Sequence, residues 1–385
     1  MARKKTGKAP TDVNERGEVL YVCTTPFQIM TSISMVKASG ESADLFVDPQ
    51  FSDAEEILAR IRKERVFRQV INAEDSMLKK MRTRKGLLKY ICFAFRLING
   101  KRLYCDMLHG EFEYKSLYAS SNNAVTRYLM NYILKRKMET RFILFDDGGS
   151  SYDNDAVAGF YRSKTARLNR LIVKEIKAQP YTRYLYMPEL FQKMHPDNLG
   201  EVIRIKNWAQ NNELCEMLLR IFNAQLVSVQ EKAVFLDTLC EEVFDEQTAK
   251  RYEHAIELII DAIGASNIGI KRHPRDKKKN KYCISEIARN GVPFECLIPK
   301  MGNDKVLITY SSTAAILPKI LFDKELYIIF LFKMFDSVSS NSLQTEIFLD
   351  YFSQYYSNQD RIMFPKDEQE LLYCINRVTK LINDN

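Results

Sequence analysis

Residues 19–28 read VLYVCTTPFQ, an apolar stretch that passes directly into the start of a helix. The segment Val19–Cys23 is apolar throughout, which is typical of a strand buried on both faces of a parallel sheet. Thr25 and Gln28 have the spacing of a capping box, and Pro26 fits the first helical position. The chain therefore opens with a strand followed at once by a helix, the repeating unit of an α/β fold.

The same alternation runs along the rest of the chain. Apolar strands are predicted at residues 19–23, 44–47, 66–71, 117–120, 141–145, 234–236, 268–271, 306–310 and 326–331. Helices are predicted from 26, over 53–64, 123–134, 165–176, 247–263 and 284–289, from 313, and over 343–355 and 368–382. Short apolar strands separated by helices indicate parallel sheets covered by helices on both faces.

The two runs of alternation predict two Rossmann-like domains that face a central cleft. Residues 180–230 lack a clear pattern, are predicted to be irregular, and contain the only tryptophan. We expect a flexible lead at 1–17, an N-terminal domain at 18–185, a connection at 186–228 and a C-terminal domain at 229–385. The sequence has no GxGxxG and no Walker A motif, which argues against the usual dinucleotide and P-loop functions.

Composition is that of a globular protein, with 46% hydrophobic and 28% charged residues among 385. The longest apolar run, at 326–332, is far shorter than the roughly 20 residues that span a bilayer. The lead lacks the apolar core of a secretory signal. Eight scattered cysteines without a CxxC pair suggest reduced thiols and a cytoplasmic location, and four unpaired histidines argue against zinc.

The positive charge is concentrated in one segment. Residues 76–105 hold nine lysines and arginines and no acidic residue. Because these nine exceed the net +8 of the whole chain, the remainder carries −1, which argues against a nucleic-acid partner. The segment fits a solvated helical face. It also fits an amphipathic element on an anionic membrane surface, since apolar residues recur along one stripe between the basic ones.

Two motifs of the first half follow predicted strands, where ligands of doubly wound folds collect. The first is Thr25 to Gln28, which is either a well-built helix start or a source of backbone N–H and amide groups at the cleft. The second is FDDGGSS at 145–151. Neighbouring charges at Asp146 and Asp147 raise the pKa of one carboxyl, which suits a general base, although Asp and Gly also form ordinary turns. The spacing is not DxD, so we do not interpret it as a metal site.

Two motifs of the second half also follow predicted strands. In KRHPRD, at 271–276, His273 lies among cations and is suited to meet an anion and protonate it. In YSST, at 310–313, hydroxyl groups at a helix start could bind a phosphate, with a plain serine cap as the alternative. The four motifs together are typical of group transfer from an anionic donor.

Three of these motifs resemble those of bacterial sialyltransferases. FDDG at 145–148 is similar to the acidic-acidic-Gly motif, His273-Pro274 to the His-Pro motif, and the serines of YSST to the downstream Ser motif. Their order and spacing, with CTTPFQ at 23–28, most resemble glycosyltransferase family 52, the lipooligosaccharide sialyltransferases. The related capsular polysialyltransferases share the three motifs. In layout the resemblance covers roughly residues 18–335.

The resemblance implies a GT-B fold and an inverting, metal-independent transfer of sialic acid from CMP-sialic acid, with no cofactor. Asp147 would be the general base on the acceptor hydroxyl, and His273 the general acid for the departing CMP. The remaining site residues would bind the donor phosphate, shape the catalytic turn or supply positive potential for the donor carboxylate: Ser311, Ser312, Thr313, Asp146, Gly148, Gln28, Thr25, Arg272, Pro274 and Arg275.

Other functions stay open on the sequence. Family 52 also contains transferases of neutral hexoses, and a polysialyltransferase would carry the same motifs. A non-enzymatic basic protein that binds lipid or nucleic acid is a further alternative. The acceptor, lipooligosaccharide or capsule, and its linkage are not determined. Relatives are often dimers, so a homodimer is a second expectation. The implied location is the cytoplasm, with 76–105 as the candidate contact to the inner face of the plasma membrane.

Overall fold

The computed structural model describes residues 17–73, 100–120, 124–136, 138–153, 181–239, 243–276, 280–289, 291–335 and 342–383. Its strands form two sheets, and all the strand pairs are parallel. The first sheet consists of β1 (Val19–Cys23), β2 (Ala43–Val47), β3 (Val70–Asn72), β4 (Ser116–Ala119), β5 (Arg141–Phe145), β6 (Thr182–Leu185) and β7 (Val202–Arg204), in the spatial order β3-β2-β1-β4-β5-β6-β7.

The second sheet has six strands. They are β8 (Ala233–Leu236), β9 (Ile268–Lys271), β10 (Ser285–Glu286), β11 (Val306–Thr309), β12 (Tyr327–Phe330) and β13 (Ile362–Met363), in the order β10-β9-β8-β11-β12-β13. In both sheets the order reverses beside the first strand of the run, between β1 and β4 and between β8 and β11. Such switch points open a crevice at the carboxyl ends of the strands.

Ten described α-helices accompany the sheets. They are α1 (Pro26–Ser39), α2 (Ala54–Glu64), α3 (Gly100–Leu108), α4 (Ala124–Lys135), α5 (Pro188–Met194), α6 (Asn212–Ile221), α7 (Glu246–Ile263), α8 (Leu317–Phe322), α9 (Ser342–Ser353) and α10 (Glu368–Asn383). Four-residue 3-10 turns at Gly149–Tyr152 and Thr313–Ile316 follow β5 and precede α8.

The first sheet is covered on both faces, as its apolar sequence predicts. All five residues of β1 are buried. Tyr21 and Cys23 belong to one apolar cluster, whereas Leu20 and Val22 belong to another. Because side chains alternate along a strand, the two clusters lie on opposite faces of the sheet. Two helical layers around a parallel sheet confirm the predicted Rossmann-like architecture.

Most predicted elements are confirmed, with the bounds of β1, β5 and β9 as expected. Two predictions are wrong. Residues 180–230 are not irregular, because they carry β6, β7, α5 and α6. The connection expected at 186–228 therefore contains the seventh strand of the first sheet, which continues past the expected boundary at 185.

The helix expected at 284–289 is also absent, and the short edge strand β10 takes its place. Ile284, Ile287 and Ala288 are buried as their spacing suggested, but the chain between them is extended. Ile287 packs directly over Gly269 of β9, where a Cβ atom would lie 2.7 Å from its side chain. The third strand is shorter than the expected 66–71, and the helix expected at 165–176 and most of 76–105 lie outside the described residues.

The two domains meet through packed side chains. The rings of Trp208 and Phe322 pack edge to face, with their centroids 5.5 Å apart. The Asn207 side-chain amide donates a hydrogen bond to the Leu321 carbonyl. Helix α9 follows β12 in the chain, yet its Phe348 packs on Tyr152 of the first domain with ring centroids 5.2 Å apart. The loop after β5 is thus held against the second domain.

Candidate active site

The carboxyl ends of β1, β4 and β5 bring the first-domain motifs together. These three strands are neighbours in the sheet, so residues that follow them share one edge. Thr25 follows β1 and Asp147 follows β5, and the Thr25 hydroxyl donates to Asp147 Oδ1 at 3.4 Å. Residues 122 positions apart in the chain are therefore adjacent at the crevice.

Asp146 is a structural centre of this edge. Its side chain is only 2% exposed and accepts three hydrogen bonds, from Gly148 N–H (2.8 Å), Tyr152 O–H (2.8 Å) and Tyr186 N–H (3.0 Å). Burial raises the pKa of Asp146 to about 6, and the three donors hold it below what burial alone would give. Asp146 therefore fixes the turn after β5.

Asp147 is the partly exposed carboxylate of the pair. Burial raises the pKa of Asp147 to about 7, the amide of Gln28 and the hydroxyl of Thr25 lower it, and the charge of Asp146 raises it. Its backbone N–H donates to Ser151 Oγ at 2.7 Å, which fixes the turn on the other side. A carboxylate that takes up a proton near neutral pH and meets solvent is suited to general base catalysis.

Gln28 is oriented by its neighbours. Thr24 donates its N–H (2.5 Å) and its hydroxyl (3.2 Å) to Gln28 Oε1, so the amide nitrogen is the group that faces Asp147. The Thr25 side chain accepts from Gln28 N–H at 3.3 Å and caps α1. The helix-start interpretation is confirmed, and the buried Gln28 amide is directed at Asp147.

The turn after β5 touches the serine motif of the second domain. Gly148 has φ +86°, and a Cβ atom there would lie 2.7 Å from Thr313 Oγ1. A Cβ on Gly149 would lie 2.5 Å from Thr313 Cγ2. Only glycine allows both this backbone conformation and this close approach. The acidic motif and the YSST motif are thereby in contact across the cleft.

The serine motif is a capped turn rather than the start of a long helix. Ser312 Oγ accepts from Ala314 N–H at 3.3 Å, and Ser312 N–H donates to Thr309 Oγ1 at 3.2 Å. Thr313–Ile316 is a 3-10 turn before the six-residue α8, so the expected helix-dipole contribution is small. Ser311 is partly exposed. Hydroxyl hydrogens are thus the groups that this motif can offer to a phosphate.

His273 lies two strands away on the same carboxyl edge. It follows β9, which is separated from β11 by β8. Its Nδ1 accepts from Arg275 N–H at 3.2 Å, so the neutral ring carries its proton on Nε2. The His273 carbonyl accepts from Asp276 N–H at 2.9 Å and closes the turn that includes Pro274. His273 is partly exposed.

The cations around His273 are less available than the sequence suggested. Arg272 faces Asp276 at 3.9 Å and Glu286 at 3.5 Å, so its charge is largely compensated. Arg275 is exposed. Lys271 is buried, and burial lowers its pKa to about 8. The pairing of Arg272 therefore weakens the positive potential expected from Arg272 and Arg275.

Three residues that hold the site were not predicted from the sequence. Ser151 and Tyr152 lie two and three residues after FDDGG, and the Asp-x-Gly spacing of Asp146 and Gly148, typical of a turn, was the available signal. Tyr186 binds Asp146 through its backbone from 40 residues away, and no local pattern announces it. Among the described residues no cluster of three or more His, Cys, Asp or Glu side chains is arranged for a metal ion, and no helix is both long and apolar enough to cross a bilayer.

Comparison with solved structures identifies the fold. No protein-family model and no curated protein matches the chain. Among solved structures, the UDP-GlcNAc 2-epimerase of Methanocaldococcus jannaschii, in complex with UDP-GlcNAc and UDP, is similar with a TM-score of 0.51 and 13% identity over 94% of this chain and 92% of that one. TcCGT1 in complex with UDP is similar with a TM-score of 0.50 and 8% identity, over 96% and 90%.

The chain has the GT-B fold. The expected two facing Rossmann-like domains are thereby confirmed. At 13% and 8% identity the similarity concerns the fold alone.

Proposed function

We propose that the protein is a GT-B glycosyltransferase that moves sialic acid from CMP-sialic acid to a hydroxyl of a cell-surface glycan. The observation that carries the proposal is the turn of Asp147, a base of pKa about 7, in contact with the YSST motif of the other domain. A base and a group able to bind phosphate on opposite sides of one cleft are what transfer from a nucleotide donor requires. The resemblance of the motifs supplies the donor, CMP-sialic acid.

Asp147 acts as the general base in this proposal. The acceptor oxygen attacks the anomeric carbon from the face opposite CMP, and its proton passes to Asp147. The bond between the anomeric carbon and the phosphate oxygen breaks as the new glycosidic bond forms, so the configuration inverts. Gln28 and Thr25 keep the carboxylate directed at the cleft through their hydrogen bonds.

His273 acts as the general acid. With Nδ1 bound to the Arg275 N–H, the proton on Nε2 is the one available to the leaving phosphate. Hydroxyl hydrogens of Ser311 and Ser312 stabilise the same phosphate as its charge develops. These donors neutralise the leaving group without a metal ion, so the proposed reaction is metal-independent.

A UDP-sugar donor is the second candidate. The two similar structures hold UDP, and one of them also holds UDP-GlcNAc. The same base and the same phosphate site would serve a hexose transferase. A polysialyltransferase differs only in its acceptor. An acceptor made at the inner face of the plasma membrane would suit the basic segment 76–105, most of which lies outside the described residues.

A thermal-shift titration with CMP, UDP and GDP tests the donor. A ligand that binds only the native state raises the Tm. The proposal expects CMP to raise it at concentrations at which UDP and GDP do not. A preference for UDP would instead support the hexose transferase, and indifference to all three would support a non-enzymatic basic protein.

A further inference from the structure

Tyr152 connects the turn that carries Asp147 to other parts of the molecule through its hydroxyl, its carbonyl and its ring. The hydroxyl donates to Asp146 Oδ2 at 2.8 Å and accepts from Met187 N–H at 3.1 Å. The Tyr152 carbonyl accepts from His195 Nε2 at 2.7 Å, and its ring packs on Phe348 of α9. The tyrosine is fully buried, so none of these contacts competes with water.

We propose, resting on the transferase function above, that Tyr152 is a positioning residue: its hydroxyl keeps Asp146 charged and in place, and the charge of Asp146 keeps Asp147 a strong base. Tyr152 touches neither substrate nor Asp147. Its effect passes through the Asp146 carboxylate, which in turn holds the Gly148 N–H of the catalytic turn.

The direction of the Tyr152 hydrogen bond is fixed by its surroundings. Because the Met187 N–H donates to the hydroxyl oxygen, the hydroxyl's own proton points to Asp146. Burial raises the pKa of Tyr152 well above its ordinary value, so the phenol stays neutral and remains a donor. A donor to a buried carboxylate stabilises its charged form, whereas loss of that donor favours the protonated form.

The consequence for Asp147 follows from electrostatics. The negative charge of Asp146 raises the pKa of Asp147, in addition to burial. If Asp146 becomes protonated, this repulsion disappears and Asp147 loses its proton at lower pH. The pair titrates as a coupled unit, so the change appears in both of its macroscopic midpoints.

Among the described residues, other groups with charge or titratable protons lie around this pair or around the tyrosines that hold it. They are Cys23 at the end of β1, Tyr186 after β6, Glu189 and His195 at α5, and Glu295 of the second domain. Of these groups, only Tyr186 donates a hydrogen bond to the Asp146 carboxylate, and it does so through its backbone N–H. They remain unchanged when Tyr152 is replaced, so a shift in the titration of the pair is attributable to the lost hydroxyl.

The test is the pH profile of kcat/KM for Tyr152→Phe against wild type. We expect the acid limb to move to lower pH by about 0.5–1 pH unit, because Asp147 no longer faces a charged neighbour. Asp146→Asn should move the limb in the same direction, and the double variant should behave as Asp146→Asn alone. Tyr114→Phe is the matched control, since Tyr114 O–H donates at 2.9 Å to the buried Asp44 in the same domain, and it should leave the limb unmoved.

A direct titration separates this inference from the proposed function. The ¹³C signals of aspartate carboxyls, assigned with Asp146→Asn and Asp147→Asn, report both midpoints without any substrate. Tyr152→Phe should raise the Asp146 midpoint and lower that of Asp147. If these midpoints move but no sialic acid is transferred, the proposed function fails while the role of Tyr152 stands.

Two results would overturn the role of Tyr152. One is a Tyr152→Phe variant that loses kcat equally at all pH values, with both carboxyl midpoints unmoved. The other concerns the double variant of Tyr152→Phe and Asp146→Asn: the acid limb of its kcat/KM profile would move by the sum of the shifts in the two single variants. If Tyr152→Phe does not fold, Asp146→Asn supplies the decision, because an unmoved acid limb there removes the charge effect on which the inference depends.

Discussion

Replacing Asp147, the proposed general base, by asparagine should impair the proposed transfer and stabilise the fold at the same time. Burial raises the pKa of Asp147 from 3.8 to about 7. At about 1.4 kcal/mol per pKa unit, ionising this carboxyl in the folded protein costs on the order of 4 kcal/mol, or about 2–4 kcal/mol once its partial contact with solvent is allowed for. The neutral amide does not carry this cost.

The asparagine can be accommodated by the same neighbours. Its oxygen can accept from the Gln28 amide, and its nitrogen can donate to the Thr25 hydroxyl, which rotates freely. No donor is left facing another donor. We therefore expect the fold to be intact and kcat to fall by about 10²-fold or more, the usual contribution of a general base.

The stability difference should depend on pH with a definite sign. Below about pH 3 the carboxyl is protonated in both the folded and the unfolded chain, so Asp147 carries no penalty. As pH rises to about 7 the unfolded chain ionises first, and the wild type loses stability that the variant keeps. Asp147→Asn should thus match the wild type only near pH 3, exceed it by part of the full difference at pH 5, and have a Tm several degrees higher at pH 8.

Differential scanning fluorimetry at pH 5 and pH 8 measures this, with Asp44→Asn as the control. Asp44 accepts from Gly17 N–H, Gln69 N–H and Tyr114 O–H, so an amide there sets a donor against a donor and should lower the Tm at pH 8. If Asp147→Asn folds but is no more stable than the wild type at pH 8, the carboxylate is not held in a desolvated site and the assignment of the base loses its physical support.

Three further changes test other parts of the site. His273→Ala should lower kcat by about 10²-fold or more, because CMP then departs without a proton, and steady-state kinetics measures it; an unchanged kcat would exclude His273 as the acid. Alanine at both Ser311 and Ser312 should weaken CMP more than cytidine in calorimetry, since hydrogen bonds to a charged group contribute about 1.5–3 kcal/mol each; equal weakening would move the phosphate elsewhere. Gly148→Ala should lower both Tm and activity more than Gly40→Ala, because both glycines have positive φ but only Gly148 lies against the other domain; equal effects would mean that the close approach does not matter.

The fold was largely predictable because its central strands are uninterrupted apolar runs. The strands β1, β5 and β9 have the bounds that their sequences indicate. Because each motif directly follows a predicted strand, the sequence also predicted that the motifs lie at the carboxyl ends of the two sheets, next to the cleft. The contact between Gly148 and Thr313 agrees with that inference.

Strands β6 and β7 could not be recognised, since charged residues interrupt them. Arg183 lies within β6, is 4% exposed, and stacks over the Phe191 ring at 4.9 Å. A buried arginine of this kind depends on a partner that the local sequence does not indicate. For the same reason the contact of Tyr186 with Asp146, which depends on the placement of β6, was not predictable.

The environment of His273 was only partly predictable. The motif KRHPRD suggested a cationic pocket, but Glu286 on the short strand β10 pairs with Arg272. That strand was expected to be helical, which would have placed its carboxylate elsewhere. The pairing of Arg272 therefore depends on a local conformation that apolar spacing alone did not decide.

Sialic acid transfer can be measured by following labelled sialic acid from CMP-sialic acid to a galactose-terminated oligosaccharide, with UDP-hexoses in parallel and EDTA present throughout. Wild-type protein should release CMP and label the acceptor with inverted anomeric configuration, and Asp147→Asn should do so about 10²-fold more slowly or not at all. Transfer from a UDP-hexose while CMP-sialic acid stays intact, or labelling that is equally fast with Asp147→Asn, would contradict the proposed function.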